Sequence, residues 1–133
     1  MGENAKAGKT LKRHTILVVD DDQTVLDVLQ RLLSNLPHNL VLTTSPAEAL
    51  EILRGTEVAV FLCDMAMPRI HGTVVLAEAR KAQPNIVSIL VSGHADRDAA
   101  IRAINEGGVW KFVLKPWEAQ ELLEIVKEAI ARF

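Results

Sequence analysis

The chain has 133 residues, 49% hydrophobic and 24% charged, enough for one domain with a real core and too few for two. No apolar run approaches the ~18 residues needed to cross a bilayer, and the single cysteine, Cys63, cannot form an internal disulfide, so a reduced, cytoplasmic setting is expected. The net charge of −2 is uneven: Lys6, Lys9, Lys12 and Arg13 outweigh Glu3 by three within residues 1–13, which leaves −5 on residues 14–133, a poor balance for direct nucleic-acid binding.

Residues 1–13 lack periodicity and are rich in Lys, Gly and Ala, which predicts a flexible leader ahead of one domain over residues 14–133. Thr15–Asp20 is a short apolar run and reads as a strand. Val25, Val28, Leu29, Leu32, Leu33 and Leu36 then recur at helical spacing, and Pro37 stops that helix. A second strand is expected over Asn39–Thr44. Ser45-Pro46 supplies an N-cap and a proline at the first helical position, with Glu48 in capping-box spacing, so a helix is expected over Pro46–Arg54. Glu57–Cys63 reads as the third strand, and Gly72–Ala82 as the third helix, stopped by Pro84. Ile86–Val91 follows as a strand, Asp96–Glu106 as a helix and Lys111–Leu114 as a short fifth strand. Ala119, Leu122, Leu123, Val126, Ala129, Ile130 and Phe133 mark the final helix. Strands apolar throughout suit a sheet covered on both faces. The repeated β-α order therefore predicts an α/β fold: a five-stranded parallel sheet, doubly wound as (βα)5.

Ligands of such sheets bind at the carboxyl ends of the strands. The first strand runs into Asp20-Asp21-Asp22, the third into Asp64, the fourth into Ser92 and the fifth into Lys115-Pro116. Any one of these reads as a turn, cap or solvated strand end; the fold brings them all to one edge. Clustered carboxylates raise one another's pKa unless a cation compensates, and carboxylate oxygens with room for water suit Mg²⁺. Lys115 adds positive charge without occupying a metal position. An aspartate beside Mg²⁺ and Lys is a candidate nucleophile toward phosphorus, and Ser92 could donate a hydrogen bond to a phosphoryl oxygen.

Over residues 14–132 the sequence resembles the receiver domain of two-component response regulators, whose fold is flavodoxin-like and CheY-like. Ile16-Leu17-Val18-Val19-Asp20-Asp21-Asp22 resembles the acidic motif after the first strand. Asp64-Met65-Ala66-Met67-Pro68 with Gly72 fits the pattern D-x-x-M-P-x-x-x-G. Ser92 falls at the Ser/Thr position and Lys115-Pro116 at the Lys-Pro position. The resemblance implies that Asp64 accepts a phosphoryl group from a histidine kinase or phosphotransfer protein. It implies Mg²⁺ ligation by Asp21, by Asp20 largely through water, by Asp64 and by the backbone carbonyl of Ala66. Ser92 would bind the phosphoryl group, and Lys115 would pair with the acceptor and then the phosphate. The Lys115-Pro116 bond would be cis. Asp22 is left with a helix-capping role.

The same resemblance implies a switch acting through the fourth helix, fifth strand and fifth helix, with Ser92 and Phe112 moving together. That face would engage an output domain or protein, or a second copy of the chain. The domain would act as a signalling module, catalysing only its own phosphorylation and dephosphorylation. Ile125 lies off the buried stripe of the last helix and is expected to be an exposed contact. The segment Asn105–Phe112 is one residue longer than usual, resembling a subgroup joined to cyclic-dinucleotide phosphodiesterase or other output domains. Trp110 and Trp117 are candidates for a shaped output surface or for local packing, and Ala66 and His94 occupy positions that tune phosphate lifetime.

Two other readings compete. Asp20-x-Asp22-x-Thr24 resembles the first motif of haloacid-dehalogenase-type phosphatases, although no later acidic pair follows Lys115 outside the last helix. A receiver-like interaction module without phosphorylation would be expected to lack Asp64, Lys115 or the acidic pair, and all are present. Gly8-Lys9-Thr10 imitates a phosphate-binding loop, but Glu3 stands where its first glycine belongs.

Overall fold

The computed structural model describes residues 12–106 and 108–133. Most of the expected leader, with its Gly8-Lys9-Thr10 triplet, lies outside them; Arg13, at its end, donates from Nε to Asn39 Oδ1 at 3.3 Å.

The apolar runs form β1 (Thr15–Val19), β2 (Asn39–Thr43), β3 (Val60–Asp64), β4 (Val87–Ser92) and β5 (Lys111–Leu114). All neighbouring pairs are parallel, in the order β2-β1-β3-β4-β5. The helices are α1 (Gln23–Leu33), α2 (Pro46–Gly55), α3 (Gly72–Ala82), α4 (Arg97–Asn105) and α5 (Ala119–Arg132). The fold is flavodoxin-like α/β, as expected.

Strand side chains alternate between two cores. Ile16, Val18, Val60, Leu62 and Ile89 pack with Leu26, Leu29 and Leu33 of α1 and with Leu122, Val126 and Ala129 of α5. Leu17, Val19, Phe61, Cys63 and Leu90 face α2, α3 and α4, meeting Ala49, Leu53, Val75, Leu76, Ala79 and Ala100. Both faces of the sheet are covered, which is why its central strands read as continuous apolar runs. Among the described residues no helix is long and apolar enough to cross a membrane.

Several boundaries differ from expectation for local reasons. β3 begins at Val60 rather than Glu57. The Val58 N–H is taken by Gln83 Oε1 at 2.8 Å, and Gln83 Nε2 donates to the carbonyls of Leu53 (2.7 Å) and Thr56 (2.6 Å). One side chain thus ties the end of α3 to the α2–β3 turn. β3 and β4 each run one residue further than expected, taking Asp64 and Ser92 into the sheet. α4 starts at Arg97 after a 3₁₀ turn over His94–Asp96, and Asp96 makes no side-chain cap. At α2, Ser45 Oγ accepts the Glu48 N–H at 3.1 Å, but Glu48 does not reach back to Ser45. Its carboxylate accepts the Thr43 hydroxyl instead, and Thr43 Oγ1 accepts the Ser45 N–H at 3.0 Å, so the capping box is half formed. Ile125 is half-buried against the α1/α5 core rather than exposed, because the α5 stripe is wider than the spacing of its best hydrophobes suggests.

Candidate functional site

β1 and β3 are hydrogen-bonded neighbours, with Val19 opposite Cys63, so Asp20 and Asp64 emerge side by side. Asp64 is itself the last strand residue and pairs with Val91 on β4, one residue before Ser92. Ser92 in turn lies opposite Leu114, the residue before Lys115. Strand order alone therefore carries Asp20, Asp64, Ser92 and Lys115 to one edge in sequence across the sheet. The Lys115 N–H donates to the Ser92 carbonyl at 2.9 Å, and the Lys115-Pro116 peptide is cis, as expected.

Asp20 and Asp64 are buried, at 3% and 5% exposure, while Asp21 is exposed. Asp20, Asp21 and Asp64 each place a carboxylate oxygen within 4.8 Å of the others. Lys115 Nζ lies 3.1 Å from Asp20 Oδ2 and 3.2 Å from Asp64 Oδ1. Asp22 turns elsewhere: its carboxylate accepts the Thr24 N–H at 2.9 Å and caps α1, and its own N–H donates to Asp20 Oδ1. The acidic run thus divides into two site residues and one cap, and the Asp22 carboxylate required by the dehalogenase-like reading is engaged in holding a helix.

Three carboxylates against one ammonium leave a deficit of positive charge. Burial and the Asp20 carboxylate push the Asp64 carboxyl up to about 6, against the pull of Lys115. Burial alone would lower the Lys115 pKa; its hydrogen bond to Asp20 and the charges of Asp20 and Asp64 outweigh that and raise it. Burial, then the charges of Asp64 and Asp20, raises the thiol of neighbouring Cys63, which stays protonated and inert. Hard, clustered oxygen donors short of cationic charge fit a hard divalent cation such as Mg²⁺.

The loop beyond Asp64 is held tightly. Gly72 N–H donates to the Met65 carbonyl at 2.8 Å, and a Cβ at Gly72 would lie 2.3 Å from the Asp64 carbonyl oxygen. Only glycine lets α3 start this close to the end of β3. Ala66 is bridged to His71 across the loop and is exposed two residues past Asp64. Met65 and Met67 are buried and anchor that loop from below.

Ser92 Oγ is buried, and among the described residues it has no hydrogen-bond partner. A buried hydroxyl without a partner costs about 1–3 kcal/mol, which a phosphoryl oxygen arriving at this edge would relieve. Phe112 sits in β5 opposite Leu90, half-buried against the α2–α4 side. Trp110 and Trp117 pack partly into the α1/α5 core, the local-packing reading. His94 is exposed at the start of the 3₁₀ turn.

The strand-end residues were visible in the sequence because each one terminates an apolar run. The close approach at Gly72 and the unpartnered state of Ser92 were not; both depend on distances between elements that no spacing encodes.

Residues 16–127 match the family profile described as response regulator receiver domain. The hydrogenase transcriptional regulatory protein HoxA of Cupriavidus necator is 40% identical over 120 residues, covering 90% of this chain and 24% of that protein. The DNA-binding transcriptional regulator NtrC of Escherichia coli is 30% identical over 123 residues, covering 92% of this chain and 26% of that protein. The chain thus spans about a quarter of the length of these curated relatives. A response regulator receiver domain structure from Clostridium thermocellum superposes with a TM-score of 0.82 at 34% identity, covering 90% of this chain and 95% of that one. The signal receiver domain of an HD domain-containing protein from Pseudomonas fluorescens Pf-5 gives 0.82 at 34% identity, covering 90% and 88%.

Proposed function

The chain belongs to the response regulator receiver domain family, and on that premise we propose that Asp64 accepts a phosphoryl group from a phosphohistidine on a histidine kinase or phosphotransfer protein. The observation that carries this reading is the convergence of Asp20, Asp21 and Asp64 with Lys115 at the strand ends, Asp64 and Asp20 both held by one ammonium. An Asp64 carboxylate oxygen attacks phosphorus. The P–N bond to the donor imidazole breaks, and its electron pair returns to the ring nitrogen, which takes a proton.

Asp20, Asp21, Asp64 and the Ala66 carbonyl would hold Mg²⁺, which when bound neutralises charge on the transferring phosphoryl oxygens. Lys115 balances the Asp64 carboxylate before transfer and pairs with the phosphoryl oxygens afterwards. The Ser92 hydroxyl, without a partner among the described residues, donates to one of those oxygens and draws the β4–α4 loop inward. Phe112 follows that movement, and the α4–β5–α5 face changes shape for an output domain, a partner protein or a second copy of the chain. In this reading the chain is a cytoplasmic signalling module that turns over no external substrate. It does not bind nucleic acid directly.

Incubation with acetyl phosphate and Mg²⁺, followed by intact-mass measurement, should add one phosphoryl group to the wild type and none to Asp64→Ala. Equal incorporation by Asp64→Ala, or none by the wild type, overturns the assignment.

A further inference from the structure

At the opposite end of the sheet from Asp64, where β4 and β5 begin, lies a cavity of about 470 Å³. That volume falls within the roughly 300–1,000 Å³ typical of small-molecule sites. Its walls combine Arg80 from the last turn of α3, Asn85 and Ser88 around the start of β4, Ile104 near the end of α4, Trp110 and Arg132. Among the described residues no carboxylate lines it, although residues 14–133 together carry −5. Both guanidiniums are exposed, and among the described residues neither forms an ion pair.

Basic residues in the last turn of a helix are ordinarily explained by the helix dipole, and Arg80 and Arg132 both sit there. That explains one arginine per helix. It does not explain why the arginines of two helix ends line one hollow together with Ile104 and an indole. Arg132 Cζ stands 5.7 Å from the centre of the Trp110 ring, and Lys111 Nζ stands 4.7 Å from it. The Lys111 charge is met by Glu128 at 3.4 Å, so the guanidiniums remain the two cationic groups available to a ligand.

We propose that this cavity binds a phosphate monoester with a planar aromatic body, the chemistry of a nucleoside monophosphate. Two guanidinium forks match a phosphate dianion in charge and geometry. The base lies beside Ile104 and the part of the Trp110 indole that lines the cavity, and Asn85 offers hydrogen bonds to its polar edge. The cavity is far larger than inorganic phosphate requires, and Ile104 and Trp110 in its otherwise mainly polar lining leave a place for a ring. The site is independent of Asp64 phosphorylation, and it is tested on unphosphorylated protein without Mg²⁺.

The chain has two tryptophans, so Trp117→Phe leaves Trp110 as the only indole. Titration of that variant with adenosine monophosphate should give a saturable change in fluorescence, with Kd on the order of 10–1,000 μM. Adding Arg80→Ala and Arg132→Ala should weaken binding at least about tenfold, as should replacing the nucleotide by adenosine or by inorganic phosphate. Three outcomes each overturn the proposal: no saturable change up to about 10 mM nucleotide, unchanged affinity in the double arginine variant, or inorganic phosphate binding as tightly as the nucleotide.

Discussion

Burial and the Asp20 carboxylate hold the Asp64 proton up to about pH 6 in the folded chain, above the usual value for an unfolded aspartate. Between about pH 4 and about pH 6 the native state therefore binds more protons than the unfolded state, and stability falls as pH rises through that window. In buffer free of divalent cations, Asp64→Asn should unfold at a higher temperature than the wild type at about pH 7, the gap closing towards about pH 4. Equal melting temperatures at about pH 7 would contradict this electrostatic account. At Gly72 the constraint is steric instead. The atoms nearest an added Cβ are backbone atoms of Asp64 and Met65, which cannot swing aside as a flexible side chain would. Gly72→Ala should cost about 1–3 kcal/mol in urea denaturation and slow phosphorylation by displacing Asp64. Asp64 as a carboxylate at a strand end was legible in the sequence; the glycine's reason was not, because it arises only where α3 meets β3.

At the scale of elements, the helices differ in how firmly they are held. α1 buries Leu26, Leu29 and Leu33, and α5 buries Leu122, Val126 and Ala129. α4 buries Ala100 alone and follows a 3₁₀ turn with no side-chain cap. Apolar burial sets the cost of local opening. In hydrogen exchange the α4 amides should therefore lose protection before those of α1 and α5; simultaneous exchange of all three would refute the ranking. The order of elements was legible because their two periodicities alternate so regularly. The start of α4 was not, since Asp96 has the residue type of a cap but makes no capping bond. Nor was the start of β3, where the Gln83 side chain from a distant helix end takes the bond a longer strand would have used.

For the molecule as a whole, the surplus of acids over residues 14–133 predicts behaviour towards DNA. Residues 14–133 should not retard duplex DNA in a mobility-shift assay at about 50 mM salt, and retardation that fades as salt rises would contradict the charge argument. Sheet topology has a separate bearing on how the site is assembled. Asp20 directly follows β1 and Asp64 ends its neighbour β3 inside the sheet, whereas Lys115 reaches them from just past β5 at its edge. The Lys115–Asp20 contact closes a separation of 95 residues.

During ribosomal synthesis the carboxylates after β1 and at the end of β3 emerge first, and their ammonium partner follows only after β5. A nascent or truncated product ending before β5 carries the acids without the group that balances them.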